Sequence, residues 1–439
     1  MSRIMFGIML ALAVVTNTML VKGEVYYQPQ QIHLSYSTEA DGMQVTWVTF
    51  NATMESIVQY ETENGGGMME ASGGTTVFKD GGPEGRLLYI HTVTLRSLKP
   101  GTKYMYHCGS DLGWSAIYWF RTSPAGSDWP ARFAVYGDMG NKNAVSMGRL
   151  QEETQLEHFD AILHVGDFAY DMDSDNARVG DEFMQQIETI AAYVPYMTCV
   201  GNHEEKYNFS NYKQRFKMPG GDGENLWYSF NVGLAHIVAI STEVYFYTNY
   251  GTKQIQEQYK WLQRDLEVAA SAENRKIRPW IIVFGHKPMY CSNPDNTLCG
   301  DYKDNIIRNG LNGESFEKLF YKYGVDLQFY AHEHSYERLF PVYNTKVCNG
   351  SKHDPYLNPG APVHIITGSA GCQEGQTEFR PNVFPWSAFH TRDYGYTRME
   401  VTNHTHLHIE QVSDDKGGKV IDAITIVKEQ HGLESFNCH

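Results

Sequence analysis

The sequence predicts an all-β sandwich at the N-terminus followed by an α/β domain, and three observations carry that reading. From Gln28 to about Ser123, short alternating apolar and polar runs are separated by turn residues, the period-two pattern of half-buried strands. After Trp129 the rhythm becomes strand, loop, helix, as in parallel-sheet architectures. A chain of 439 residues with 42% hydrophobic side chains can fill two cores.

Composition then removes several classes. With 36 Lys+Arg against 51 Asp+Glu, the formal charge is −15 and no basic patch offsets it, so nucleic-acid binding and a polybasic membrane role are set aside. Ordinary apolar content, dense aromatics and the absence of heptads or low-complexity blocks exclude disorder and coiled coil.

Residues Met1 to Gly23 carry Arg3, an apolar run from Ile4 to Val15, and a Val21-Lys22-Gly23 end. This reads as a secretory signal peptide rather than a membrane anchor, because a spanning helix needs roughly 20 apolar residues. Its removal leaves 34 basic against 51 acidic side chains, a charge of −17, which protonation of all 18 His would bring to about +1. Secretion or delivery to a lysosome follows as the expectation. Sequons at Asn51, Asn208, Asn349 and Asn403 are candidate glycosylation sites in that compartment.

The sandwich domain is read as residues 24–124. Its strands include Met43–Thr49, Ser56–Tyr60 and Tyr104–Cys108, with Trp47 as core anchor. Leu98 to Tyr104 resembles the tyrosine corner of fibronectin type III domains. Pro124 to Pro130 is the linker, residues 131–427 form the second domain, and 428–439 are a tail. Seven cysteines leave at least one thiol unpaired. The spacing of Cys291 and Cys299 suits a small disulfide loop, Cys348 with Cys372 is a second candidate pair, Cys199 reads as a buried free thiol, and Cys438 is placed to cross-link two chains into a homodimer.

In the second domain, five apolar runs (Phe133–Tyr136, Ala161–Val165, Tyr196–Val200, Trp280–Phe284, Val325–Tyr330) are each followed at once by polar residues able to bind a metal. These are Asp138; Asp167 and Tyr170; Asn202 and His203; His286; and His332 and His334. Each alone is ordinary turn chemistry. Together they can converge, because the carboxyl ends of neighbouring strands in an α/β sheet share one crevice. Carboxylate, amide, phenol and imidazole without thiolate argue against iron–sulfur clusters and Cys-type zinc, and the donors are too many for one ion. The alternation of His404, His406 and His408 reads as a solvated strand face, Trp261, Leu262, Leu266 and Val268 as helix core, and Met68-Met69 as loop.

At this point the five motifs, in order over about 200 residues, resemble those of purple acid phosphatases, in particular the larger plant-like form also found in animals. The resemblance implies an α/β metallophosphoesterase domain, an αββα sandwich, behind the fibronectin III-like one. It also implies that Asp138, Asp167, Tyr170 and His334 hold Fe(III), and that Asn202, His286 and His332 hold a divalent Fe, Zn or Mn, with Asp167 bridging. His203 would face the substrate phosphate or the leaving group as catalytic acid. The activity implied is acid hydrolysis of small phosphate monoesters by metal-bound hydroxide. Two departures from the family pattern stand out: Ala331 replaces the usual Gly, and Asp295 and Asn296 occupy the stretch where plant members place two His. A phosphodiesterase or nucleotide pyrophosphatase, and a secreted binding protein with impaired acid catalysis, are the alternative readings.

Overall fold

The computed structural model describes residues 25–294, 299, 305–311, 313–351, 353–432 and 435–438. The first domain is a sandwich of two antiparallel sheets. One orders Gln30–Tyr36, Met43–Thr49, Leu87–Leu95 and Gly74–Lys79; the other is built on Ile57–Thr62 and Lys103–Ser110. Trp47 is buried between them and stacks on His91 at 5.1 Å. The Lys99 N–H donates to the Tyr104 hydroxyl at 2.9 Å, which ties the turn to the strand that follows it.

The second domain contains two larger sheets. The six-stranded one orders Tyr196–Cys199, Ala161–Val165, Ala131–Tyr136, Gly395–Val401, His406–Ser413 and Lys419–Val427. Its first three strands are parallel and the last three extend it antiparallel. The seven-stranded sheet has a parallel centre, Ala235–Ala239, Trp280–Phe284, Leu327–Tyr330 and Val363–Thr367. Trp280–Phe284 is apolar throughout and, like Val363–Thr367, wholly buried, because both faces of the sheet are covered there. The helix Lys253–Ala269 buries Leu262 and Leu266, whereas Val268, expected in the core, is 63% exposed: it falls on the helix face turned to water. Met69 opens the strand Met69–Ser72 instead of lying in a loop, paired with Tyr60.

The domains meet along the strand Gln30–Tyr36, which lies against the helix Ser174–Ala191. Arg215 is fully enclosed there, donating to Asp181 (2.8 Å), to the Gln31 side chain (3.0 Å) and to the Ala177 carbonyl (2.9 Å). Such a buried guanidinium is tolerated because its donors are filled. The Tyr106 hydroxyl caps the far end of the same helix at the Ala192 carbonyl.

Cysteine pairing departs from expectation at one bond. Cys291 and Cys299 are joined, but Cys348 pairs with Cys438 and not with Cys372. The chain end returns to the Cys348 turn, where Gly360 and Asn437 exchange backbone hydrogen bonds with their surroundings, while Cys372 is held in the loop after Val363–Thr367 with its Sγ 3.4 Å from His334 Nδ1. Cys438 is therefore occupied within the chain, which removes the proposed covalent route to a homodimer. Cys108, Cys199 and Cys372 are buried free thiols.

Several histidines are enclosed as neutral rings: burial lowers His33 and His91 to about 4 and His364 to about 3, and holds His164 well below its ordinary value. His33 sits at the domain interface, its Nδ1 on the Gln31 carbonyl and its Nε2 without a partner. Unfolding frees such a ring to protonate near its ordinary value, so the stability it contributes is complete above about pH 6.5 and is lost as pH falls toward 4. His33→Gln should remove about 2 kcal/mol of the stability lost between pH 7 and pH 5, read as a smaller shift of the urea midpoint between those two conditions.

Candidate metal centre

Every donor predicted from the sequence follows directly on a parallel strand. Asp138 comes after Ala131–Tyr136, Asp167 and Tyr170 after Ala161–Val165, and Asn202 opens a single 3-10 turn after Tyr196–Cys199. His286 follows Trp280–Phe284, and His332 and His334 follow Leu327–Tyr330. The backbone turns sharply to present them. Asp138, Asp167, Tyr170 and His332 have φ of 56°, 51°, 57° and 70°, a region that side-chain-bearing residues rarely occupy and that each holds at a cost of about 1 to 3 kcal/mol.

The donors fall into two touching groups. In the first, the Tyr170 hydroxyl lies 2.8 Å from His334 Nε2 and 3.3 Å from Asp138 Oδ1. In the second, His286 Nε2 is 3.0 Å from Asp167 Oδ2 and 3.1 Å from Asn202 Oδ1, and the donor atoms of Asp167, His286 and His332 all lie within 4.8 Å of one another. Two imidazoles are oriented from behind. His286 Nδ1 donates to the Val165 carbonyl (2.9 Å) and His334 Nδ1 to the Gly375 carbonyl (2.8 Å), which turns each Nε2 toward the other donors.

Close approach of the loops requires the glycines that precede Asp167 and Asn202. A Cβ on Gly201 would lie 2.2 Å from Asp167 Oδ1, and one on Gly166 would lie 2.6 Å from His286 Nδ1. Ala331, where the resemblance led us to expect Gly, fits because it faces Gly137: a Cβ there would come within 2.5 Å of the alanine methyl. Glu204, fully enclosed, accepts the N–H groups of Asp167 (3.0 Å), Phe168 (2.9 Å) and Gly201 (2.9 Å). Burial and the Asp167 charge push it up to about 8, against the pull of those donors.

The electrostatics fit a site built for cations. Burial disfavours a proton on His286 and on His334, yet the acids beside them, Asp167 and Asp138, raise these rings to about 10 and about 12. Burial opposes ionisation of Asp167 too, and His286 still holds it well below the carboxylate range. Burial and Asp138 drive the Tyr170 phenol well above its ordinary value, so only a strongly Lewis-acidic cation would make it a phenolate. Each group combines oxygen donors with imidazole, a donor set suited to metal cations.

His203 lies over the same crevice, its ring centroid 4.4 Å from that of Tyr170. Its Nδ1 is 2.9 Å from Asp171 Oδ1, and its Nε2 is 3.8 Å from Glu374 Oε1. Burial works against the charged ring, but the Asp171 hydrogen bond and nearby carboxylates raise it to about 9. Sequence reasoning missed Asp171, Glu204 and Glu374. The first two stood beside donors already singled out, at Tyr170-Asp171 and His203-Glu204; nothing local marks Glu374, which arrives from a distant loop. Asp295 and Asn296 lie outside the described residues. Of the sequons, Asn349 and Asn403 are exposed and Asn51 is half-buried, while the Asn208 side-chain oxygen is enclosed without a partner. His406 is exposed and His408 half-buried on their strand, and no group of three metal-binding side chains gathers there among the described residues.

Comparison with known proteins agrees with this geometry over nearly the whole chain. Residues 29–122 match the family described as purple acid phosphatase, N-terminal domain; residues 131–336 match calcineurin-like phosphoesterase; and residues 361–423 match iron/zinc purple acid phosphatase-like protein C. The chain is 54% identical over 411 residues to acid phosphatase type 7 of Homo sapiens and 53% identical over 416 residues to that of Danio rerio, in both cases covering 93% of each protein. The structure of purple acid phosphatase PPD1 from yellow lupin superposes with a TM-score of 0.76 at 26% identity, covering 91% of this chain and 74% of that one. The two sandwiches, the strand-end donors and these matches together establish that the chain belongs to the purple acid phosphatase family.

Proposed function

We propose that the protein is a secreted acid phosphatase that hydrolyses small phosphate monoesters at a binuclear centre. The observation that carries this reading is the gathering of Asp167, His286 and His332 within 4.8 Å beside the Asp138, Tyr170 and His334 contacts, the two groups joined where the His332 N–H donates to Asp138 at 2.9 Å. Asp138, Tyr170 and His334 would hold Fe(III); Asn202, His286 and His332 would hold a divalent Fe, Zn or Mn; Asp167 would bridge them. Bound there, two ions would supply Lewis acidity toward the phosphoryl group and acidify water.

The chain's own residues do the rest. Glu204 fixes the loop that aims Asp167. His203 is hydrogen-bonded through Nδ1 to Asp171, a carboxylate that favours its protonated form, and lies beside Tyr170, where it would donate a proton to the leaving alkoxide. Glu374, near its other nitrogen, would help hold the ring. We take residues 24–124 as a supporting domain and 131–427 as catalytic, and residues 1–23, which lie outside the described part, as the secretory signal. Among the described residues, no helix is long and apolar enough to cross a membrane.

Three results are expected. His203→Ala lowers kcat on alkyl phosphates at least about tenfold more than on aryl phosphates, whose leaving groups need no proton; equal losses would argue against the acid role. Asp171→Asn lowers the His203 pKa by removing the acid that raises it, so the alkaline limb of the kcat profile moves to lower pH, measured on an alkyl phosphate. Tyr170→Phe, assayed by bound-metal analysis and visible spectroscopy together, loses the absorption of a phenolate–Fe(III) pair while the divalent ion is retained.

A further inference from the structure

The seam between the domains opens into a cavity of about 670 Å³, within the range of small-molecule sites. Its walls are the Ser37–Gly42 turn of the first domain, the linker around Trp129, and the Ser229–Gly233 hairpin of the second. None of the seven metal donors lines it. Tyr36 and Phe230, one from each domain, meet within it at 5.6 Å, and Trp129 continues the aromatic surface. The hairpin reaches the linker so closely that a Cβ on Gly233, at φ 53°, would lie 2.9 Å from the Trp129 carbonyl.

Arg278 also lines this space, directly after the helix Ala272–Ile277. Its Nε is buried without a hydrogen-bond partner, and no carboxylate among the described residues pairs with its guanidinium. Burial alone perturbs it, downward. Its neighbour Arg275 also leaves its Nε unpartnered but differs at its terminal nitrogens, which donate to Asp326 and to the Tyr323 carbonyl. A cation at the cavity wall with no carboxylate partner among the described residues is a group that a bound anion would pair. The cavity lining also includes Glu39 and Asp41, both exposed. Glu39 is paired with Arg96 and Asp41 is not. One free cation with a carboxylate nearby favours a single negative charge over a phosphate dianion, and the aromatic wall favours an organic body.

We propose that this cavity is a second ligand site, separate from the metal centre, for a small organic monoanion whose carboxylate or sulfonate sits on Arg278 and whose apolar body lies against Trp129, Tyr36 and Phe230. The same chemistry would let the ligand bridge the two domains. The test is a fluorescence titration of the metal-loaded protein with anilinonaphthalene sulfonate, in the presence of saturating inorganic phosphate to occupy the metal centre. One saturable site per chain is expected under those conditions. Arg278→Gln should weaken it at least about tenfold, the loss of a charge-assisted contact, and Asp41→Asn should tighten it about threefold. Turnover of an aryl phosphate should be unchanged in both variants. Unaltered dye affinity in Arg278→Gln, or displacement of the dye by phosphate, would overturn the assignment. Asp41 is an exposed turn residue, so its variant reports even where Arg278→Gln fails to fold, and unchanged affinity there would count equally against the site.

Discussion

Three backbone N–H groups from two loops end on one buried carboxylate, and the metal-binding crevice depends on that meeting. Glu204 draws the Gly166–Phe168 turn onto the Gly201–His203 turn, and this contact sets the distance between Asp167 and Asn202. Neither turn would choose its conformation alone: Asp167 is held at positive φ, and Gly201 must be bare of a side chain to admit the Asp167 carboxylate. A buried acid satisfied by three donors can hold such strain because letting go would leave all of them unpaired in a dry interior.

Much of this was legible in the sequence because strand ends are a one-dimensional signal. An apolar run followed by Gly-Asp or Gly-Asn-His gives both the strand and the residue at its tip, and five repetitions point to one crevice without any knowledge of contacts. The sandwich was legible for the same reason, since alternation and the Leu98–Tyr104 turn are local. What escaped was non-local. The partner of Cys348 is 90 residues away at the end of the chain, and spacing gives no preference between it and Cys372. Glu374 reaches His203 from the loop after Val363–Thr367, and the strands from Gly395 to Val427 complete a sheet begun by residues 131–199. Polar alternation there predicts a strand but not which sheet receives it.

Acid conditions pull this molecule in two directions. Its surface carries a large excess of carboxylates, so protonation of exposed groups relaxes self-repulsion. The interior works oppositely, because His33, His91 and His364 are packed as neutral rings whose protonation the fold cannot accommodate. The acid limit of the protein is therefore set inside, at positions such as the domain interface, rather than by its net charge.

Gly137 follows a strand of one sheet and Ala331 a strand of the other, and a Cβ on the glycine would lie 2.5 Å from the alanine methyl, so the space between them holds one methyl group. That single methyl acts as a spacer gauge between the layers. Whichever residue carries it, the partner is confined to glycine, so the two positions can change only together, and the separation of Asp138 from His332 across the seam is inherited from the volume of one carbon atom.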